Sequence, residues 1–232
     1  MDFILGCNYW ASNAGTEMWR KFDTGVIEKD LKILSDHGVR YMRVFPNWRD
    51  FQPIVPIHFA FSEVIGYCKE GGNTGETGYF IDETMMDRFA EFIKLCDKYN
   101  IKLIVGLITG WMSGGMFIPP ALYGKNLISD PLAIYFEQLF IKGFVTRFKD
   151  SDCIYAWDLG NECNCMGHTE SRWEAANWTA TISNAIKAAD PTRPVVSGMH
   201  SLGTNRDWNF EDHAKYTDIL TTHPYPFFGQ HT

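Results

Sequence analysis

The chain has 232 residues, 45% of them hydrophobic, enough to bury one large core and consistent with a single domain over residues 1–232. Its formal charge of -7 argues against nucleic acid or an anionic membrane as the main partner, since neither is drawn to an acidic surface. Aromatic residues make up 15% of the chain and include eight tryptophans, more than a core needs, which leaves some to line a cleft for flat, partly apolar ligands such as sugar rings.

The amino terminus carries no cationic stretch followed by an apolar run, and no segment approaches the length of a membrane span, so the expectation leans to a cytoplasmic protein. The first strand is predicted over residues 3–8. Ile27, Leu31 and Leu34 mark a helix that Gly38 stops, delivering the chain into a second strand over residues 39–45. Met85, Phe89, Phe92, Cys96 and Tyr99 recur at helical spacing ahead of a nearly continuous apolar third strand, residues 101–108. A helix over residues 131–148 leads to a fourth strand, 154–162. A further helix ends near Asp190, a fifth strand covers 194–200, and after a short helical stretch a sixth covers 219–225.

Six strand-helix repeats imply right-handed crossovers and a parallel sheet. The fold class read here is α/β, a (β/α)8 TIM barrel with about six of its eight units in this chain. The rival doubly wound sheet ordinarily places a Gly-rich turn after its first strand, where this chain has NYWASNAGTEMW. Connections leaving the strands' carboxyl ends are long, about 35 residues after Phe45 and about 20 after Ile108, while the returns are short. One rim is thus elaborated for function. The Gly-rich stretch at residues 71–78 lacks the ending of a phosphate loop and reads as a flexible turn.

The fourth strand ends in Asn161-Glu162, an amide beside an acid at the tip of a buried strand, which makes Glu162 the leading catalytic candidate. Arg43 shares a strand face with Val39, Tyr41 and Phe45, so its guanidinium needs a carboxylate, either Glu162 or an acid from a strand outside the six. His200, His223 and Tyr225 fall at strand ends on the same rim, where hydrogen-bonding groups and Trp suit a polyhydroxylated substrate. The six cysteines read as reduced thiols. Cys163, Cys165 and His168 lack a fourth ligand at a familiar spacing, so no metal and no cofactor is expected.

Arg43, the Asn161-Glu162 pair, and His223 with Tyr225 in THPYP together resemble the retaining glycoside hydrolases built on (β/α)8 barrels, particularly the cellulase and endo-β-mannanase branch, family 5-like. The resemblance runs through nearly all of the chain. It implies a β-linked mannan- or glucan-type carbohydrate substrate cleaved by double displacement, with Glu162 as general acid/base and Asn161 on the sugar 2-hydroxyl. Trp10 and Trp111 become sugar-stacking platforms. The family's nucleophile, a Glu on a seventh strand, has no counterpart here. The chain is therefore expected to be part of a longer enzyme, or to be completed by a second chain, and to be inactive alone. Two readings from other classes stand beside this one: a noncatalytic carbohydrate-binding or scaffold protein on the same barrel, and a metal-dependent hydrolase using His200, His223 and an acid.

Overall fold

A computed structural model describes residues 4–60, 63–72, 78–203 and 206–223. Strand β1 (Gly6–Asn8) leads to helix α1 (Thr24–Asp36) and strand β2 (Tyr41–Val44). The long connection that follows carries a short helix α2 (Trp48–Phe51) and an antiparallel hairpin of β3 (Ile54–Phe59) and β4 (Glu63–Lys69) before helix α3 (Glu83–Lys98). Next come β5 (Lys102–Ile108), a miniature hairpin of β6 (Trp111–Met112) and β7 (Gly115–Met116), and helix α4 (Pro131–Phe148). Strand β8 (Ile154–Gly160), helix α5 (Arg172–Ala189), strand β9 (Val195–Val196) and a short helix α6 (Phe210–His213) complete the order.

The four long helices start where a short oxygen-bearing side chain can take the orphan amides of the first turn. Asp23 accepts from Gly25 and Val26, Asp82 from Met85, Asp130 from Leu132 and Ala133, and Ser171 from Glu174. Pro131 adds its preset φ to the first turn of α4. Gly38, at φ +83°, ends the run after α1 in the left-handed region that favours glycine.

The main sheet is parallel, in the order β1-β2-β5-β8-β9. Its outer face is buried under the helices: Met42 and Val44, Leu103 and Val105, Trp157 and Leu159 are all within 1% of full burial. Phe89, Phe144 and Phe148 from α3 and α4 pack against one another at tilted to edge-on angles, with centroids 4.8 to 5.0 Å apart, and Phe144 extends the cluster to Trp157. The inner face differs. Tyr41, Arg43, Ile104 and Tyr155 are only half buried, and a cavity of about 380 Å³ opens among Ile4, Gly6, Asn8, Tyr41, Arg43 and Ile104.

The predicted strands at 39–45 and 101–108 form with slightly tighter bounds, and four of the helices match. The predicted fifth strand at 194–200 shrinks to two residues, because Gly198 turns to φ +63° and the backbone leaves the ladder. Of the predicted sixth strand only the parallel bridge Val196–Ile219 forms, supported by Ser197 and Thr221 hydroxyls 3.0 Å apart, and its later residues lie outside those described. The long connection after β2, read as loop, contains the β3–β4 hairpin. Among the described residues, no helix is long and apolar enough to cross a membrane.

Candidate active site

The carboxyl ends of β2 and β8 are tied by one side chain. Arg43 donates from Nε to Asp158 Oδ2 at 2.6 Å, from one terminal nitrogen to Asn161 Oδ1 at 3.0 Å, and from the other to the Gly160 carbonyl at 2.7 Å. Among the described residues its carboxylate partner is therefore Asp158 and not Glu162. Register explains this: Arg43 lies level with Ile104 and Ile104 with Ala156, so a guanidinium reaching one step further meets the inward carboxylate of Asp158. Burial raises the Asp158 carboxyl above the ordinary carboxylate range, against the pull of Arg43. Asp158 Oδ1 also accepts from the Gly160 amide at 3.1 Å.

Two glycines let the strand ends approach this closely. A Cβ on Gly160 would overlap the Ile108 carbonyl, and one on Gly198 would overlap both Asp158 and the Gly160 carbonyl. With these spaces clear, β8 ends at Gly160 and the chain turns sharply, placing Glu162 in the left-handed region at φ +50°. That conformation is uncommon outside glycine and carries strain. It swings the Glu162 side chain off the line that leads to Arg43.

Glu162 is 7% exposed. Its Oε2 accepts from Trp111 Nε1 at 3.0 Å, and its Oε1 lies 2.9 Å from His223 Nδ1. Both carboxylate oxygens are thus fixed, one from the β6–β7 hairpin and one from the end of the 219–223 segment. Asn161 is gripped on both atoms of its amide, accepting from Arg43 and donating from Nδ2 to the Trp111 carbonyl at 3.1 Å. His200 stands beside this group with its ring centroid 6.3 Å from that of His223, while its backbone amide donates to Asn164 Oδ1 and its carbonyl accepts from the His223 amide.

The structure brings Arg43, Asn161, Glu162, Trp111 and His223 into one connected network, with His200 adjacent. Trp10, half buried, stacks on Phe45 with centroids 5.4 Å apart, and Phe45 also carries the Arg43 guanidinium over its ring at 4.7 Å. Tyr225 lies outside the described residues. Asp158 was not among the candidate residues read from the sequence. Its place four residues before Glu162 on a buried strand, facing a neighbouring arginine, was the signal available. Trp111 was read as a platform for sugar, and its indole N–H donating to the catalytic candidate was not foreseen. All six cysteines are free thiols.

A carboxyl group held at both oxygens at the rim of a parallel α/β sheet, directly after an asparagine bonded to an arginine on the second barrel strand, is an arrangement suited to proton transfer at a bound substrate. The sequence model of the cellulase family, glycosyl hydrolase family 5, matches residues 57–232. The chain belongs to glycosyl hydrolase family 5. Among relatives of this family 5 chain, mannan endo-1,4-β-mannosidase F of Aspergillus clavatus is 32% identical over 140 residues, covering 58% of the chain and 30% of that protein. A probable mannan endo-1,4-β-mannosidase A of Aspergillus niger is 28% identical over 92% of the chain and 59% of its own length. Among solved structures, an exo-β-1,4-mannosidase from Opitutaceae bacterium strain TAV5 superposes with a TM-score of 0.72 at 26% identity, covering 89% of this chain and 34% of that one. An endo-1,4-β-mannanase from Rhizomucor miehei, at 16% identity and a TM-score of 0.67 over 97% of this chain and 67% of that one, shares the fold. The chain spans about 30% of the length of the first curated relatives it matches.

Proposed function

We propose that the chain carries the acid/base half of a retaining β-glycoside hydrolase acting on β-1,4-mannan. The observation that carries this reading is Glu162, almost buried at the rim with Oε2 accepting from the Trp111 indole N–H and Oε1 2.9 Å from His223 Nδ1. Mannan is favoured over glucan by the relatives, whose names are those of mannan-cleaving enzymes.

In the first step a carboxylate attacks the anomeric carbon while Glu162 gives its proton to the departing glycosidic oxygen, leaving a glycosyl-enzyme ester. In the second, Glu162 takes a proton from water, whose oxygen attacks the same carbon and frees the attacking carboxylate. Trp111 and His223 hold Glu162 in one orientation through both steps, and one lone pair on each of its oxygens remains for the proton. Asn161, locked by Arg43 and the Trp111 carbonyl, keeps one amide hydrogen for the 2-hydroxyl of the sugar at the scissile bond.

The attacking carboxylate must lie ~5–5.5 Å from Glu162. Asp158 does not fit this role, because it is fully buried and committed to Arg43. We assign the role to an acid on further strands that pair with the edge of β1 left open among the described residues and fill the inner cavity. The half-buried inner face and that open edge support this reading. In the full-length protein, Glu162→Gln should lose turnover of mannooligosaccharides by at least about a thousandfold, while an aryl β-mannoside with a good leaving group still shows a burst of phenol release. Mannooligosaccharide hydrolysis at the native rate would overturn the assignment, and mannan binding without any turnover by the native protein would leave a noncatalytic binding module.

A further inference from the structure

Trp173 stands in the first turn of α5 with 70% of its surface exposed, whereas Trp19, Trp48, Trp157 and Trp178 are fully buried. The fold has no use for it there. The packing face of α5 is Ala175, Trp178, Thr179, Ile182 and Ile186, and Trp173 lies off that stripe. An indole left in water forgoes a large burial gain, so its position calls for a ligand.

The neighbouring Arg172 is fixed. Its Nε and a terminal nitrogen donate to Asp212 Oδ2 at 2.9 and 2.7 Å, and Asp212 is itself held by Asn209 and Lys215. The guanidinium lies 5.1 Å from the Trp173 ring centroid, so it covers one face of the indole and leaves the other to solvent. Arg172 also lines a cavity of about 460 Å³ together with Gly203, Arg206, Asp207, Phe210 and Glu211.

The chemistry of this cavity is balanced. Arg172 and Arg206 oppose Asp207 and Glu211, which favours a neutral ligand over an anion or a cation. Arg206 has no carboxylate partner among the described residues, and its stem folds across Gly203, where a Cβ would come within 3.1 Å. Asp207 accepts from Thr169 through Oδ2 at 2.8 Å and keeps its other oxygen open. Phe210 is 42% exposed. Two aromatic surfaces beside unspent donors and acceptors suit a hexopyranose, apolar on its ring faces and hydroxylated around its edge.

We propose that Trp173 and this cavity form a second carbohydrate-contact site, which takes a neutral sugar ring of a polymer chain outside the Glu162 network. Naming that polymer as β-mannan rests on the function proposed above. The site shares a loop with the catalytic turn, through Asn164 donating to the Ser201 carbonyl at 3.1 Å, yet uses none of Arg43, Asn161, Trp111 or His223. The full-length protein and its Trp173→Ala, Trp173→Phe and Arg206→Ala variants are compared by electrophoresis in gels containing soluble galactomannan and by hydrolysis of an aryl β-mannoside.

Trp173→Ala and Arg206→Ala should weaken retardation by the polymer about three- to tenfold, from the worth of one aromatic contact, while aryl mannoside turnover stays within about twofold and Trp173→Phe recovers most of the binding. Native retardation in Trp173→Ala, or an equal fall in aryl mannoside turnover, would overturn the site. A native protein that is retarded but hydrolyses nothing, with retardation lost in Trp173→Ala, would uphold this site and sink the catalytic reading.

Discussion

Replacing Asp158 by alanine should unfold the protein far more readily than replacing its partner. The Asp158 side chain is fully buried and that of Arg43 is 12% exposed, with 2.6 Å between them. Removing one member of such a pair costs about 3–5 kcal/mol, because the survivor is left as an uncompensated charge. Arg43 keeps the Asn161 oxygen and the Gly160 carbonyl as acceptors, so the low end applies, about 3 kcal/mol. For a domain of this size that is a fall in melting temperature of roughly 6–12 °C. Arg43→Met alone should be milder, since an unpaired buried carboxyl escapes its charge by binding a proton, whereas a guanidinium cannot release one. The double variant Arg43→Met/Asp158→Ala should recover more than half of the loss seen in Asp158→Ala. Circular-dichroism melts of the four proteins at pH 7 decide the matter. An Asp158→Ala melt within about 1 °C of native, or single effects that simply add in the double variant, would refute the reasoning.

Three further outcomes follow from buried groups elsewhere. Gly160→Ala should fail to accumulate as soluble protein, since the added methyl has no space beside the Ile108 carbonyl; soluble yield and a melt measure it. His213 is buried, with its value pushed down to about 4. Thr179 donates to the Ala175 carbonyl and so accepts from His213 Nδ1, while Nε2 has no partner to receive a second proton's hydrogen bond. A folded value below the unfolded 6.5 leaves its contribution whole above pH 6.5 and drains it as pH falls toward 4, on the order of 3 kcal/mol; melts of His213→Asn against pH should show a flatter slope in that window. Glu137 is driven well above the carboxylate range by burial, with Trp178 donating to Oε2 at 3.0 Å and Oε1 unpartnered. Its contribution is lost as pH rises through its raised value, so Glu137→Gln should melt at a higher temperature than the native protein at alkaline pH and close to it at pH 5.

Much of the architecture was legible because local signals agreed with one another. Asp130 and Pro131 start α4 where the aromatic stripe Phe136, Phe140 and Phe144 begins to repeat, and the apolar run ending at Asn161-Glu162 marks both a buried strand and its working tip. The β3–β4 hairpin escaped detection because Pro56 interrupts an otherwise strand-like run, and a two-stranded element at the rim needs no strict alternation. The partner of Arg43 escaped for a different reason. Strand parity puts Asp158 and Glu162 on the same face, and only the left-handed turn at Glu162, which a Glu residue does not announce, separates them. Trp111 acquires its donor role from the tight β6–β7 turn, where Ser113 and Gly114 both adopt positive φ, and that geometry is not written in tryptophan itself.

Arg43 reaches across β5, the strand lying between β2 and β8, so all three of its donor bonds end within the four residues that precede Glu162. The turn that carries the proton donor is therefore anchored from inside the sheet, through bonds that involve neither strand of the hairpin, Ile54–Phe59 and Glu63–Lys69. Those peripheral segments are free to be exchanged or lengthened, by natural drift or by grafting in the laboratory, and the chemistry would survive a change in which polymer the surface recognises.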